Sequence, residues 1–335
     1  MPEEQFRALV VRERDGEYRR AVETRQLDSL PPGDTLIRVA YSSLNYKDML
    51  SATGHAGITR NYPHTPGIDA AGVVVESESD GIRVGADVVV TGYDLGMNTS
   101  GGYAEYIRVP AEWLVPLPEG PTAASAMSYG TAGFTACLSL LGIEDAGVRP
   151  DDGPVLVTGA TGGVGSLAVM LLVDAGYDVT AATGRPEHTE RLRQLGAREV
   201  VPRDDVLHPA ERPLVRGLWA AVVDTVGGDY LGSAIRATRP NGVVTCCGMV
   251  ASPHLNTSVL PFILRGVRLL GIDSAGRSRD ERLRVWGRLA AVDAGDGLEE
   301  ITTECTLDEL DERIEMMRCG ESAGRTRVAI VGESG

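Results

Sequence analysis

The chain has 335 residues, 43% hydrophobic and 24% charged, the balance of a globular enzyme long enough for two cores. Its formal net charge of −15 repels phosphate backbones, so no nucleic-acid partner is expected. No apolar run reads as a membrane span and no basic-then-apolar leader opens the chain, which points to the cytoplasm and to no membrane partner; five cysteines without a C-x-x-C pair speak for reduced thiols rather than a disulfide frame or a zinc lobe.

Residues 6–124 read as mainly β. The runs FRALVV, DTLIRVAY, AAGVVVES, ADVVVTG and YAEYIRVP are short, apolar and separated by Gly, Pro and Asp. From Ala123 the pattern turns to helices alternating with strands, beginning with Ala123–Leu141, interrupted by Gly130 and Gly133. Strands are expected at 155–158, 178–182, 199–201, 220–224, 243–247 and 268–272, a series that predicts an α/β, doubly wound parallel sheet. Cys246 and Cys247, in the run VVTCC, read as core. The run VRLLGI (267–272), as an edge strand, offers itself to a second subunit, so a homodimer is expected. A charged helix (Arg279–Val292), a second helix (Leu307–Arg318) and a strand (Thr326–Val331) follow and fold back on the first domain. The domains are thus 1–124 with 274–335, and 125–273.

The second domain opens on VLVTGATGGVGSLAVMLL (155–172): strand, glycine-rich turn, amphipathic helix. That order holds a dinucleotide pyrophosphate. The register is A-x-G-x-x-G, with Ala160 where a first glycine is usual. Gly162 lets backbone approach the phosphates, and Gly165 lets the helix pack on the sheet. Thr161, Gly162, Gly163, Val164 and Gly165 are the candidate contacts, aided by free N–H groups and the helix dipole. An NAD site wants a carboxylate about 20 residues further on. Here the strand ends instead in Thr183-Gly184-Arg185, and a guanidinium can grip a 2′-phosphate in bidentate fashion. NADPH is therefore the expected cofactor. The competing role for Arg185, opening the next helix, is disfavoured because a helix N-terminus repels a cation.

Several segments together resemble one family. SSLNYKD (42–48), PGIDAAG (66–72), GTAGFTA (130–136), VTGATGGVG (157–165), TGR (183–185), PRD (202–204), DTVGG (224–228) and PFILRGVRLLGIDS (261–274) are similar to the medium-chain dehydrogenase/reductases, in the quinone-oxidoreductase-like group that holds the acrylyl-CoA reductases. PGIDAAG marks only the superfamily, whereas SSLNYKD with PFILRGVRLLGIDS is far more specific. The resemblance implies a GroES-like catalytic domain, a Rossmann domain, and NADPH-dependent reduction of acryloyl-CoA to propanoyl-CoA. Zinc members of the superfamily use a Cys near Asn45 and Gly-His-Glu where this chain has Gly67-Ile68-Asp69. Asp69 alone cannot hold catalytic zinc, which takes three protein ligands, so no metal is expected.

Without a Lewis acid, reduction of an alkene conjugated to a carbonyl is an easier assignment than alcohol oxidation. Hydride goes to the β-carbon, charge develops on the thioester oxygen, and the α-carbon takes a proton. The candidate catalytic residues are Asn45, Tyr46, Lys47 and Asp48. Lys47 is the one lysine beside 31 arginines. It can pair with Asp48 to tune a proton donor or to position Tyr46, or the two can form a buried structural ion pair. Asn45 can contact nicotinamide or substrate carbonyl. Related quinone reductases often carry a tyrosine where this chain has Leu50, so Tyr46 does not inherit that role.

By position, Asn45 and Thr131 should flank the nicotinamide, and Gly227 and Gly248 lie past strand ends, where open α/β sheets bind ligands. Arg203 can join Arg185, and Arg325 sits where related dehydrogenases place an arginine on the pyrophosphate. An enoyl-CoA substrate calls for basic groups at the cleft mouth, with Arg60 the candidate. Two alternatives stay open: a quinone or general enone reductase on the same scaffold, and a non-catalytic NADPH-binding protein. The acidic charge reads either as a halophilic trait or as the mark of a GC-rich genome.

Overall fold

The computed structural model describes residues 4–209 and 211–330. The chain divides into two compact units, Met1–Thr131 with Ala275–Ala290 and Leu298–Gly335, and Ala132–Ser274 with Ala291–Gly297. The division falls inside a helix, past the 124/125 boundary that the change of pattern sets.

The first unit opens with an antiparallel hairpin, β1 (Gln5–Arg14) and β2 (Glu17–Gln26). Asp15 and Gly16 turn it with φ of 58° and 81°, the left-handed pair that a two-residue hairpin loop requires. Then come β3 (Thr35–Leu44), the short helix α1 (Tyr46–Ala52), β4 (Asp69–Ser77), β5 (Asp87–Thr91), β6 (Tyr106–Val109) and β7 (Val115–Pro116). Alternate residues of these strands, among them Ile37, Val39, Val88, Val90 and Ile107, point into one core.

Helix α2 (Ala123–Asp145) is 23 residues long and breaks from helical geometry at Gly130 (φ 49°, ψ −154°); Gly133 causes no break. By length and composition it could cross a membrane, contrary to the expectation that no run is long enough. It is instead a core helix, with 83% of its most apolar stretch buried inside the protein.

The second unit carries β8 (Val155–Thr158), α3 (Gly163–Asp174), β9 (Val179–Thr183), α4 (Thr189–Gln194), β10 (Glu199–Pro202), β11 (Trp219–Asp224), α5 (Gly228–Ala237), β12 (Thr238–Cys246), α6 (Leu260–Arg265) and β13 (Arg268–Gly271). Its strands form one sheet in the order β10-β9-β8-β11-β12-β13, and every pairing is parallel. This is the Rossmann order, with the chain reversing direction across the sheet beside β8. Every residue of β8 and β9 is buried, as strands covered by helices on both faces must be.

The tail returns to the first unit. After α7 (Arg279–Ala290) and α8 (Gly297–Glu300) come β14 (Thr302–Thr306), α9 (Leu310–Arg318) and β15 (Arg325–Ala329). The sheet order is β14-β15-β3-β4-β5-β7, with β6 also on β3. Arg282 of α7 is fully buried and donates to the carbonyls of Thr91 (2.6 Å) and Ala275 (2.6 Å), under the ring of Tyr93. The expected end of the last strand, Val331, lies outside the described residues.

Candidate active site

The glycine turn is built by close backbone approach. A Cβ on Gly165 would sit nearer the Gly159 carbonyl than any real Cβ does, and 2.8 Å from Ala160 Cα. Only glycine lets α3 start this tightly on the turn. Gly159 has φ 62°, and Gly162 caps α3. Thr161 is buried, whereas Gly162, Gly163 and Val164 stay partly exposed, so the first N–H groups of α3 remain accessible to an anion.

Asp224, which the sequence reading did not single out, ties this turn to the neighbouring strand. Thr158 Oγ1 donates to Asp224 Oδ1 (2.7 Å), and the Gly227 N–H donates to Asp224 Oδ2 (2.8 Å). Burial pushes the Asp224 carboxyl above its ordinary pKa. Gly227 and Gly248 serve the same packing. A Cβ on Gly227 would meet the carbonyls of Gly248 and Ser252 at 2.7 Å, and one on Gly248 would overlap the Thr225 backbone.

At the end of β9, Thr183 Oγ1 lies 3.2 Å from Thr161 Oγ1 and accepts from the Arg185 N–H (3.0 Å). Arg203 packs over Gly184, where a Cβ would come within 2.8 Å of its Cδ. A further arginine acts on Arg185. Arg191 of α4 has Nε and Nη2 buried without a hydrogen-bond partner, and burial followed by the Arg185 charge lowers its pKa. A buried, unpaired guanidinium N–H costs roughly 1–3 kcal/mol or more, a cost that an anion bound at Arg185 and Arg191 would remove. A 2′-phosphate fits that need. Nothing in the sequence pattern marked Arg191, because its approach to Arg185 depends on how α4 turns.

The first unit gathers a second set of groups, around the start of α1. Asn45 caps the helix, its N–H donating to Asp48 Oδ2 (2.9 Å). Asp48 is fully buried, and its Oδ1 accepts from the N–H groups of Gly67 (3.1 Å) and Ile68 (2.8 Å). Burial first, and the charge of Asp69 second, push its pKa up to about 7. Asn45 Nδ2 lies between the two carboxylates, 3.1 Å from Asp48 Oδ2 and 2.8 Å from Asp69 Oδ2. Asp69 also accepts from Ser43 Oγ (2.6 Å), the Thr131 N–H (2.8 Å) and Thr131 Oγ1 (2.6 Å).

Arg325 closes this cluster. Antiparallel pairing of β15 with β3 sets Thr326 opposite Leu44, so Arg325 falls beside Asn45. Its Nε donates to the Ser128 carbonyl (2.9 Å), its Nη1 reaches the Leu44 carbonyl (3.3 Å) and Asn45 Oδ1 (3.4 Å), and its Nη2 is buried without a partner. The break at Gly130 makes the room. A Cβ there would lie 2.5 Å from Ser43 Oγ, 2.6 Å from Asp69 Oδ2 and 3.0 Å from Arg325 Nη2.

The structure therefore brings Asn45, Asp48, Thr131 and Arg325 together around Asp69, which the sequence offered only as a lone metal-capable carboxylate. It does not form the Lys47–Asp48 pair. Successive helix residues do not face each other; Asp48 turns inward to the backbone, while Lys47 is half-buried and makes no hydrogen bond or ion pair among the described residues. Tyr46 is 44% exposed. Among the described residues no group of three or more His, Cys, Asp or Glu could hold a metal ion, and His64 is committed to the Gly96 carbonyl (2.9 Å).

A phosphate-binding turn on a six-stranded parallel sheet, next in the chain to a β-rich unit with a buried polar cluster, defines a dinucleotide-dependent oxidoreductase. Residues 31–119 match the alcohol dehydrogenase GroES-like domain and residues 163–290 match the zinc-binding dehydrogenase domain. The acrylyl-CoA reductase AcuI of Ruegeria pomeroyi is 45% identical over 307 residues, covering 91% of this chain and 93% of its own. Among solved structures, the YhdH oxidoreductase of Salmonella enterica in complex with NADP matches with a TM-score of 0.95 and 42% identity, covering 97% of this chain and 100% of that one. The YhfP protein of Bacillus subtilis with NAD bound has the same score and identity, covering 98% and 100%. This chain belongs to the medium-chain dehydrogenase/reductase family, in the quinone-oxidoreductase-like group that includes the acrylyl-CoA reductases.

Proposed function

We propose that this protein uses NADPH to reduce the carbon–carbon double bond of acryloyl-CoA, giving propanoyl-CoA, without a metal. The observation that carries the cofactor is the pair of buried, unpartnered nitrogens, Nε and Nη2, of Arg191, whose charge acts on Arg185 where an NAD site would hold a carboxylate. The substrate rests on the 45% identity to an acrylyl-CoA reductase across nearly the whole chain. When bound, the nicotinamide supplies the hydride that goes to the substrate β-carbon.

The chain's own residues do the rest. Thr161, Gly162, Gly163, Val164 and Gly165 hold the pyrophosphate on the turn, and Thr183, Gly184, Arg185, Arg191 and Arg203 hold the adenosine phosphate. Gly227 and Gly248 shape the neighbouring loops. Asp48 and Asp69 are positioning residues: their oxygens are taken by backbone and side-chain donors, and they fix Asn45 and Thr131. Arg325 lies buried in the same network and also positions Asn45. Asn45 is left to orient the reacting groups. Among the described residues the heads of Lys47 and Tyr46 make no hydrogen bond or ion pair, and Lys47 is the group to stabilise charge on the thioester oxygen and to deliver the α-proton.

The protein works as a homodimer. β13 is an edge strand, and the segment leading to it exposes Val250, Val259, Ile263 and Leu264, each more than half exposed, an apolar patch that a second copy would cover. Its five cysteines, none in a disulfide among the described residues, suit a reducing cytoplasm.

The test is a steady-state assay of acryloyl-CoA, crotonyl-CoA and a soluble quinone, each with NADPH and with NADH. The expected result is the highest kcat/KM for acryloyl-CoA with NADPH. A preference for the quinone makes the protein a quinone reductase, and tight NADPH binding without turnover makes it a binding protein.

A further inference from the structure

Beyond the carboxyl end of α1 the first unit holds a niche of about 490 Å³ between the β1–β2 hairpin and the loop 54–62. Two tyrosines form its wall. Tyr18 and Tyr62 meet edge to face, with ring centroids 4.9 Å apart at 65°, and Tyr62 is pinned by its hydroxyl, which donates to the Ser51 carbonyl (2.7 Å). Tyr18 lies against Gly54, where a Cβ would overlap its ring. Gly54 thus holds the aromatic wall in place.

The rim carries polar groups of complementary kinds. Arg60 and Asn61 are exposed, and neither makes a hydrogen bond or ion pair among the described residues. Glu13 accepts from the Gly16 N–H through Oε1 (2.8 Å), leaving its second oxygen as an acceptor. A free guanidinium takes a phosphate in bidentate fashion. Tyrosine rings offer surface to a flat aromatic base, and a carboxylate with a side-chain amide can bond the amino edge of adenine. An aromatic wall, an anion-seeking cation and an acceptor for an amino group are together the complement of an adenine nucleotide carrying a phosphate on its sugar.

On the reading that the substrate is a CoA thioester, we infer that this niche binds the 3′-phosphoadenosine end of CoA, with Arg60 on the 3′-phosphate. The geometry of the chain allows it. α1 has seven residues, so the niche lies about 10 Å along the helix from Tyr46 and Lys47. The two-amide arm of CoA is longer than that, and a thioester beside Lys47 leaves the adenosine within reach of the niche.

The test uses the full-length protein saturated with NADP⁺, so that the dinucleotide site is filled. Calorimetry then measures adenosine 3′,5′-bisphosphate and AMP against the wild type, Arg60→Ala and Arg60→Glu; Arg60 is exposed, so neither change threatens the fold. The wild type should bind the bisphosphate about tenfold more tightly than AMP, the worth of one charge-assisted hydrogen bond. Arg60→Ala should erase that preference, and Arg60→Glu should weaken the bisphosphate further. In turnover, both variants should raise the KM for acryloyl-CoA by a larger factor than they lower kcat. No bisphosphate binding to the NADP⁺-loaded protein, or a preference over AMP that survives both substitutions, overturns the niche. Bisphosphate binding that depends on Arg60, in a protein that does not reduce acryloyl-CoA, upholds the niche and refutes the proposed reaction.

Discussion

Arg191 carries two buried, unpartnered guanidinium nitrogens next to Arg185, and in a folded protein such groups are either strained or waiting for a ligand. Their use for a 2′-phosphate gives a sharp expectation. Arg191→Ala and Arg185→Ala should each raise the KM for NADPH about tenfold or more while moving that for NADH far less; equal effects on the two cofactors would remove the phosphate from the account. Lys47→Arg is the second test at this scale. It keeps the charge but replaces a compact ammonium that can give up a proton. It should lower kcat by about tenfold or more if proton delivery is its work, and an unaltered kcat would reduce Lys47 to scaffolding. Arg185 and Arg203 were legible because they follow strand ends at the spacing a cofactor demands. Asp69 and Arg325 were not legible as partners of Asn45. Their meeting depends on the register of β15 against β3 and on the break at Gly130, and neither leaves a local signal.

Among the elements, the six strands of the second unit stood out as short apolar runs because most are covered on both faces. The strands that pattern reading missed are those with little to bury. β2 reads EYRRAVETRQ and alternates between exposed and half-buried positions, and β14 buries only Cys305. For β2 the Asp15-Gly16 turn was the available sign. α2 shows the opposite failure, an apolar stretch long enough for a membrane that lies in a protein core. The join between β8 and α3 is the most constrained of these elements. Gly165→Ala should cost about 1–3 kcal/mol through overpacking against Gly159 and Ala160, read as a lower urea midpoint, and should weaken NADPH binding by displacing the start of α3. A variant with unchanged stability would show that the turn is looser than its geometry.

For the whole molecule, the net charge of −15 with 31 arginines and one lysine bears on the solvent the protein meets. Self-repulsion of that size is relieved by salt. If the surface is adapted to concentrated salt, the melting temperature should climb as KCl is raised well beyond physiological strength, and a flat response would leave the acidity as a matter of composition alone. The largest claim at this scale is that the protein moves a hydride from NADPH onto an activated alkene. It is tested most directly by following the label from NADPH deuterated at the nicotinamide C4 during turnover of acryloyl-CoA in buffer containing a metal chelator. The account predicts undiminished turnover and deuterium on the β-carbon of propanoyl-CoA; no transfer, deuterium on the α-carbon, or loss of activity to the chelator would contradict it.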